Sequence, residues 1–544
     1  MLGLMQRREL LISSIIQHAA RHHGDAEVVS RRDDGQIVRT TYEKLERRAR
    51  KLMGVLRELG VEFGDRVATL AMNSDRHLEL YYAISGMGAV CHTINPRLAP
   101  DDIAYIIGHA EDHVLFVDAC FAPLVAAIAP RLAAVLRAVV VLAEPYEMKP
   151  LGARLDLPPG MALHCYESLL DAAREEPDWP VFDENAASGL CYTSGTTGRP
   201  KGVLYSHRSS LLHAFQINGA DAVGLRATTR VLPVVPMFHV NAWGLPYAAP
   251  MVGAALVMPG RHLDPVALLG LMDGERVDLS VGVPTVWLNL VNHMRQSGAR
   301  FSTLKRIMSG GAALPRALVA AFAELGVEAC QGWGMTETSP VVTFNEPKPA
   351  TASLKGEALF DHAIKQGRAL FGVDIRALGP DGAETRWDGK SQGDVSCRGH
   401  WIAKGYFRSP ETEIADDAWF PTGDVGVIDA NGFLQLTDRS KDLIKSGGEW
   451  ISSIELENIA IGHPDVAEAA AIAAPDEKWG ERPLLIVVPR EGHEPRPDDV
   501  RAFFAGKVAN FAIPDQVIVV EELPHGATGK ILKSELRTIY ASRR

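Results

Sequence analysis

Cysteine is scarce and scattered in this 544-residue chain, at Cys91, Cys120, Cys165, Cys191, Cys330 and Cys397, and no C-x-x-C pair occurs. Such spacing points to neither a disulfide framework nor a zinc site and fits a reducing, cytoplasmic setting. A basic excess is missing too. The 56 lysines and arginines against 67 acidic residues leave a net charge of −11, which argues against nucleic acid as the main partner. Any anionic ligand must be held by local lysines and arginines. The first residues, "MLGLMQRRELLISS", place Arg7 and Arg8 after only a few apolar residues, and no export signal is read there. The most apolar segment, 231–260, is broken by Pro233, Pro236, Pro246 and Pro250 and carries His239 and Asn241. It makes a poor membrane span, so no integral membrane segment is expected; it reads as buried core beside a pocket. Repeats and long low-complexity linkers are lacking as well.

What remains is the balance of a folded protein, 47% hydrophobic and 23% charged, in a chain long enough for several subdomains. Thr40 to Glu43 has capping-box spacing. Leu45, Ala49, Leu52, Leu56 and Leu59 then recur at helical period until Gly60. Short apolar strands such as "RVATLAM", "HVLFVD" and "AVVVLA" alternate with helical stretches, the pattern of crossover units and parallel sheets. The class is therefore α/β. Towards the C-terminus "PLLIVVP" and "DQVIVVEELP" flank "DVRAFFAGKVANF", a compact strand and helix set read as a small separate α+β domain, with a short joint in "DRSKDLIK", residues 438–445.

"YTSGTTGRPKG", residues 192–202, combines glycines, hydroxyls and Lys201 in a way that suits an oxyanion such as phosphate. It is not the familiar P-loop, because Gly195 and Gly198 stand two residues apart and Pro200 precedes the lysine. By itself it is a nucleotide loop of another kind or a polar turn. "QGWGMTETSP" (331–340) offers Trp333 to stack on a flat ring and Glu337 to hold a magnesium ion, or else a turn with an aromatic plug. "SGGAAL" (309–314) suits a planar base or merely tight packing. "PTGDVG" (421–426) presents Asp424 to a ribose diol or as a turn residue, and "LPHGATGK" (523–530) delivers Lys530 to a site or to solvent.

Taken in order, these motifs, together with "DRSKDLIKSGGEWIS", resemble the adenylate-forming superfamily of acyl-CoA synthetases, luciferases and carrier-linked adenylation domains. The resemblance spans nearly the whole chain. Within it, "PMFHVNAWGLPYAA" and "KDLIKSGGEWISSIELEN" look like the bacterial medium- and long-chain fatty acyl-CoA synthetases and the methylmercaptopropionate-CoA ligases. The resemblance implies a large N-terminal domain of α/β subdomains (1–437), a hinge (438–445) and a small mobile C-terminal domain (446–544) carrying Lys530. It also implies two-step chemistry. A carboxylic acid and ATP give acyl-AMP and pyrophosphate, and coenzyme A then takes the acyl group.

By the same resemblance, Thr193, Ser194, Gly195, Thr196, Thr197 and Lys201 cradle the β- and γ-phosphates. Thr193 and Glu337 hold Mg2+; Gly311, Gln331, Gly332 and Trp333 frame the adenine; Thr336 touches phosphate; and Asp424 and Arg439 hold the ribose. Lys530 bridges carboxylate and α-phosphate, with His239, Val240, Trp243 and Gly311 around the acyl group. Lys441 takes the hinge position, and Lys445, Gly447 and Trp450 line the adenylate and pantetheine side. A homodimer is implied as well. Departures are few: "GRALFG" (367–372) lacks a proline common after the Gly-Arg pair, and His525 replaces a basic or polar residue. The expected substrate is a medium- to long-chain fatty acid, with a short thioether acid such as 3-methylmercaptopropionate, or an aryl acid, as alternatives. A carrier-linked domain is disfavoured because no carrier-like serine segment follows Lys530, and a non-catalytic adenylate binder because Lys201, Glu337, Asp424 and Lys530 are all present.

Overall fold

The computed structural model describes every residue except 2, 177, 194–198, 448, 527–529 and 541–544. Among the described residues, the strands form a seven-stranded, a nine-stranded, a four-stranded and a five-stranded sheet. The seven-stranded sheet is parallel from Ala162–Cys165 through Ala138–Val141, Val114–Val117, Arg66–Leu70 and Val90–Thr93 to Ala187–Tyr192, and closes on the antiparallel strand Gly202–Ser206. Its inner strands are short and buried along their whole length, which is why they read as continuous apolar runs rather than alternating ones. The nine-stranded sheet has a parallel centre, Glu27–Arg31, Ala255–Met258, Arg230–Pro233, Leu279–Gly282, Arg306–Ser309 and Glu328–Gly334, with antiparallel strands at both edges.

Between the two sheets runs the helix Asp75–Gly86, which contacts Val90–Thr93 of one and Glu27–Arg31 of the other. All of its residues are buried, charged ones included. Burial of charge is tolerable only with partners. Asp75 pairs with Arg32 at 2.6 Å, Arg76 with Glu167 at 2.8 Å, and Glu79 with Arg48 at 2.6 Å. The helix Tyr42–Glu58 buries Leu45, Ala49, Leu52 and Leu56, as the period predicts. Its cap falls one residue later than the capping-box spacing suggests: Thr40 belongs to the edge strand Ile37–Thr41, and the Thr41 side chain accepts from Lys44 N–H.

The segment 231–260 is a strand, a turn, the helix Leu245–Val252 and a second strand, packed in the largest apolar core. The four-stranded antiparallel sheet ends with Leu434–Arg439, and the five-stranded sheet begins with Ile444–Ser446. Asp438 and Arg439 thus sit in a strand of the large unit although they fall inside the expected hinge. In the smaller unit, helix Pro497–Ala502 is shorter than "DVRAFFAGKVANF" suggests, because the chain turns at Gly506, whose φ is +74°. Among the described residues, no helix is long and apolar enough to cross a membrane.

Candidate active site

Several motif-bearing loops leave the carboxyl ends of parallel strands, where open α/β sheets gather their ligands, while Asp424 lies within the antiparallel strand Phe420–Ile428. Tyr192 ends one such strand, Pro233, Gly282, Ser309 and Gly334 end others. In the glycine-rich hairpin Thr193 N–H donates to the Lys201 carbonyl at 2.9 Å, and Lys201 N–H returns to Thr193 Oγ1 at 3.3 Å. Ser194, Gly195, Thr196 and Thr197 lie outside the described residues. The exposed Lys201 places Nζ 4.9 Å from the centroid of the Tyr406 ring, and the Tyr406 hydroxyl donates to Glu337 Oε1 at 2.7 Å. Burial and the adjacent Glu337 carboxylate push the Tyr406 phenol up, so it stays a donor.

Glu337 is buried and, among the described residues, has no ion-pair partner. Its turn is held by Tyr205, whose hydroxyl donates to the Thr336 carbonyl at 2.7 Å, and by Ala403 N–H, which donates to the Glu337 carbonyl at 2.7 Å. Asp424 is buried as well. Its Oδ2 accepts from the Trp333 indole at 2.9 Å and its Oδ1 pairs with Arg439 Nε at 2.6 Å, because Asp424 and Arg439 face each other across two antiparallel strands. Burial raises the Asp424 carboxyl against the opposing pull of Arg439, Trp333 and Lys530. Trp333 is only 7% exposed, and Gln331 spends its amide on the 312–314 turn, donating to Ala312 O at 3.3 Å and accepting from Leu314 N–H at 3.4 Å. The Gly332 carbonyl and the Trp243 ring crowd Gly310, so a Cβ there would meet the indole at 2.8 Å.

His239 opens a turn in which Val240, Asn241, Ala242 and Trp243 all have φ between +45° and +57°, followed by Gly244 at +82°. A left-handed turn of non-glycine residues is strained, and buried side chains enforce it here. Asn73 donates to the carbonyls of Pro233 and Val235 at 2.8 and 2.9 Å and accepts from Met237 N–H at 2.6 Å. The Tyr81 hydroxyl lies 2.5 Å from the Met237 carbonyl and 3.0 Å from Asn241 Oδ1. Burial, then Lys530 and Arg97, lower His239 to about 4, so its ring is neutral at neutral pH.

Lys530 arrives from the smaller unit. Its Cε would stand 3.9 Å from a Cβ built on Gly311, an ordinary van der Waals distance, so the lysine reaches the glycine turn itself. The side chain stays exposed to the cleft, yet the surrounding protein and Arg439 lower its pKa to about 8, with Asp424 and Glu337 pulling the other way. Thus Lys530, His239, Gly311, Asp424, Arg439 and Glu337 converge, and Lys201 joins them through Tyr406. Lys445 and Trp450 do not converge with them. They face each other across the hairpin Ile444–Ser446 and Glu449–Ile451, with Lys445 Nζ 5.2 Å from the indole, and Trp450 is half exposed. Lys441 is exposed in the linker. The sequence reading missed Tyr406, Tyr81, Asn73 and Arg97; Tyr406 follows Lys404 and Gly405 and precedes Arg408, a local signal that could have drawn attention to it, whereas Tyr81 and Asn73 stand in no glycine-rich pattern.

Residues 16–407 match the AMP-binding enzyme family and residues 455–530 the AMP-binding enzyme C-terminal domain. The chain is 49% identical over 542 residues to the 3-methylmercaptopropionyl-CoA ligase of Ruegeria lacuscaerulensis, covering 99% of this chain and 98% of that one. It is 47% identical over 541 residues to the medium-chain-fatty-acid–CoA ligase of Ectopseudomonas oleovorans, again covering 99% and 98%. Among solved structures, the anthranilate CoA ligase AuaEII in complex with anthranoyl-AMP superimposes with a TM-score of 0.85 at 25% identity, over 99% of this chain and 98% of that one.

Proposed function

The chain belongs to the AMP-binding enzyme family, and from that premise we propose an ATP-dependent acyl-CoA synthetase that acts on a medium- to long-chain aliphatic acid. It is an AMP-forming acid–CoA ligase. A carboxylate oxygen attacks the α-phosphorus of ATP, the bond to pyrophosphate breaks, and acyl-AMP forms. The thiol of coenzyme A then attacks the acyl carbon and AMP leaves. The first step gathers negative charge, so its catalysis is positioning plus neutralisation.

The convergence of Lys530 with Gly311, His239 and the two buried carboxylates carries the assignment of roles. Lys530 neutralises charge between carboxylate and α-phosphate. Asp424, steadied by Arg439 and the Trp333 indole, receives the ribose hydroxyls, while Gly311, Gln331, Gly332 and Trp333 back the adenine and Thr336 meets the phosphate. Neutral His239 with Val240 and Trp243 borders the acyl carboxylate. Residues 192–202 take the pyrophosphate end through the Thr193 and Lys201 side of the loop. A buried carboxylate without an ion-pair partner suits a cation, so Glu337 with Thr193 would hold Mg2+, which supplies charge neutralisation at the phosphates. Residues 1–437 form the large domain and 446–544 the mobile one, turning about Lys441 within 438–445, so that Lys445 and Trp450 reach the site for thioester formation. We place the functional enzyme as a homodimer.

The aliphatic reading rests on the packed indole of Trp243 over Gly310 and the apolar helix Leu245–Val252. A short thioether acid is the second reading, favoured by the 49% identity to the Ruegeria enzyme. Acyl-CoA formation is to be measured with butyrate, octanoate, palmitate, 3-methylmercaptopropionate and benzoate. Highest kcat/KM with octanoate or palmitate is expected; a preference for the thioether or the aryl acid replaces the aliphatic reading.

A further inference from the structure

Tyr406 enters the site through two contacts at once. Its hydroxyl reaches Glu337 Oε1 at 2.7 Å and its ring lies 4.9 Å from Lys201 Nζ. The residue is also fixed from behind. Its N–H donates to Thr412 Oγ1 at 3.0 Å, and Phe407 N–H donates to the Gly202 carbonyl at 2.8 Å. With Ala403 N–H on the Glu337 carbonyl, the stretch 403–407 ties the strand leaving the glycine-rich loop to the turn that bears Glu337. Packing alone, against Cys191, Val203 and Tyr205, would accept a phenylalanine. A hydroxyl aimed at a buried carboxylate makes a charge-assisted bond, and a ring face beneath an ammonium attracts it, so both polar features of tyrosine are used.

We propose that Tyr406 is a positioning residue that couples the phosphate loop to the metal-binding carboxylate: its hydroxyl engages one oxygen of Glu337, which leaves the other for a cation, and its ring holds Lys201 at the foot of the loop. The proposal rests on Glu337 being the metal ligand. Because the hydroxyl acts through Glu337 and the ring through Lys201, the two contributions separate by substitution. Tyr406→Phe removes only the first, Tyr406→Leu both.

The test uses the full chain. Mn2+ affinity is measured by electron paramagnetic resonance in the presence of an α,β-methylene analogue of ATP, and pyrophosphate release is followed against Mg2+ concentration. Tyr406→Phe is expected to weaken Mn2+ about tenfold, the scale found when a partner of a ligating residue is lost, and to raise the half-saturating Mg2+ in proportion. Excess Mg2+ restores its rate. Tyr406→Leu adds a higher KM for ATP. Glu337→Gln, run in parallel, abolishes Mn2+ binding. If Tyr406→Phe binds Mn2+ normally while Glu337→Gln does not, Tyr406 has no such role and the reading of Glu337 stands. A Tyr406→Phe rate that is low at every Mg2+ concentration with normal Mn2+ binding equally overturns the proposal, leaving a packing role. If Glu337→Gln keeps its metal, the reading of Glu337 fails and the Tyr406 proposal falls with it.

Discussion

Two segments border Lys530, the left-handed turn after His239 and the linker around Lys441, and they are held in opposite ways. The turn stores strain, about 1–2 kcal/mol for each non-glycine residue in the left-handed region. It persists because Asn73, Tyr81 and Asn241 close around it in the core, where no water competes for their hydrogen bonds. The linker is held instead by polar contacts, several of them buried. Asp438 Oδ2 accepts from Ser453 N–H at 2.6 Å, Ser452 bonds the Thr437 carbonyl, and Arg537 pairs with Asp442 at 2.8 Å. Lys533 braces the same corner, with Nζ 2.6 Å from Glu457 and 2.5 Å from Ser453 Oγ. Unlike the packed core around the turn, each of these polar groups can be resolvated by water when the contact opens, although the buried charged ones resist it more. The turn after His239 is thus held by core packing and the linker by polar contacts, the contrast that the proposed release of Lys530 between steps would need.

The sharpest way to break this contrast is to remove what both segments face. Lys530→Ala is expected to slow acyl-AMP formation by about 3–4 kcal/mol of lost charge stabilisation, and to slow thioester formation from preformed acyl-AMP far less. Half-reactions measured separately decide it, and equal losses defeat the role. In the unaltered protein kcat/KM for ATP is expected to fall as pH rises through about 8, where the ammonium gives up its proton, and the inflection disappears in Lys530→Ala.

Next in size is the linker itself. Lys441→Pro fixes φ near −65° and restricts Ser440, which is tied to Gly423 at 3.0 Å. The variant is expected to release pyrophosphate in one turnover and retain acyl-AMP while making little acyl-CoA. Unaffected thioester yield, or loss of both steps in a folded protein, moves the pivot elsewhere.

Smaller effects test each support. Tyr81→Phe strips the buried Met237 carbonyl of the Tyr81 hydroxyl and leaves Asn241 Oδ1 only Cys191 Sγ at 3.7 Å, so thermal unfolding should show a loss of about 1–3 kcal/mol, with the KM for the acid rising and that for ATP unchanged. An unchanged acid KM removes the turn from substrate recognition. Asp438→Asn removes a buried charge that accepts from Ser453 N–H and faces Lys533, and so weakens the latch by roughly 1.5–3 kcal/mol. Adenylation should slow modestly and thioester formation hold or quicken, a split read in the same two half-reactions; a fall in both removes Asp438 from the latch.

Sequence alone was enough for the alternation of short apolar strands with helices, and for the helical face Leu45, Ala49, Leu52 and Leu56, because period and burial are local consequences of residue order. It was also enough for the ordered motifs that named the family, since glycine, hydroxyl and charge at fixed spacing are visible without a fold. Tertiary structure decided the rest. Nothing in "HVNAW" announces a left-handed turn, since valine and tryptophan disfavour it and only residues some 160 positions away enforce it. The helix Asp75–Gly86 carries the charges of a solvent face and yet lies between two sheets, because its partners come from Arg32, Arg48 and Glu167. The bonds from Trp333 to Asp424 and from Tyr406 to Glu337 join segments 91 and 69 residues apart. Such pairs are written in no local pattern, because a side chain meets its partner only when packing closes the loop between them.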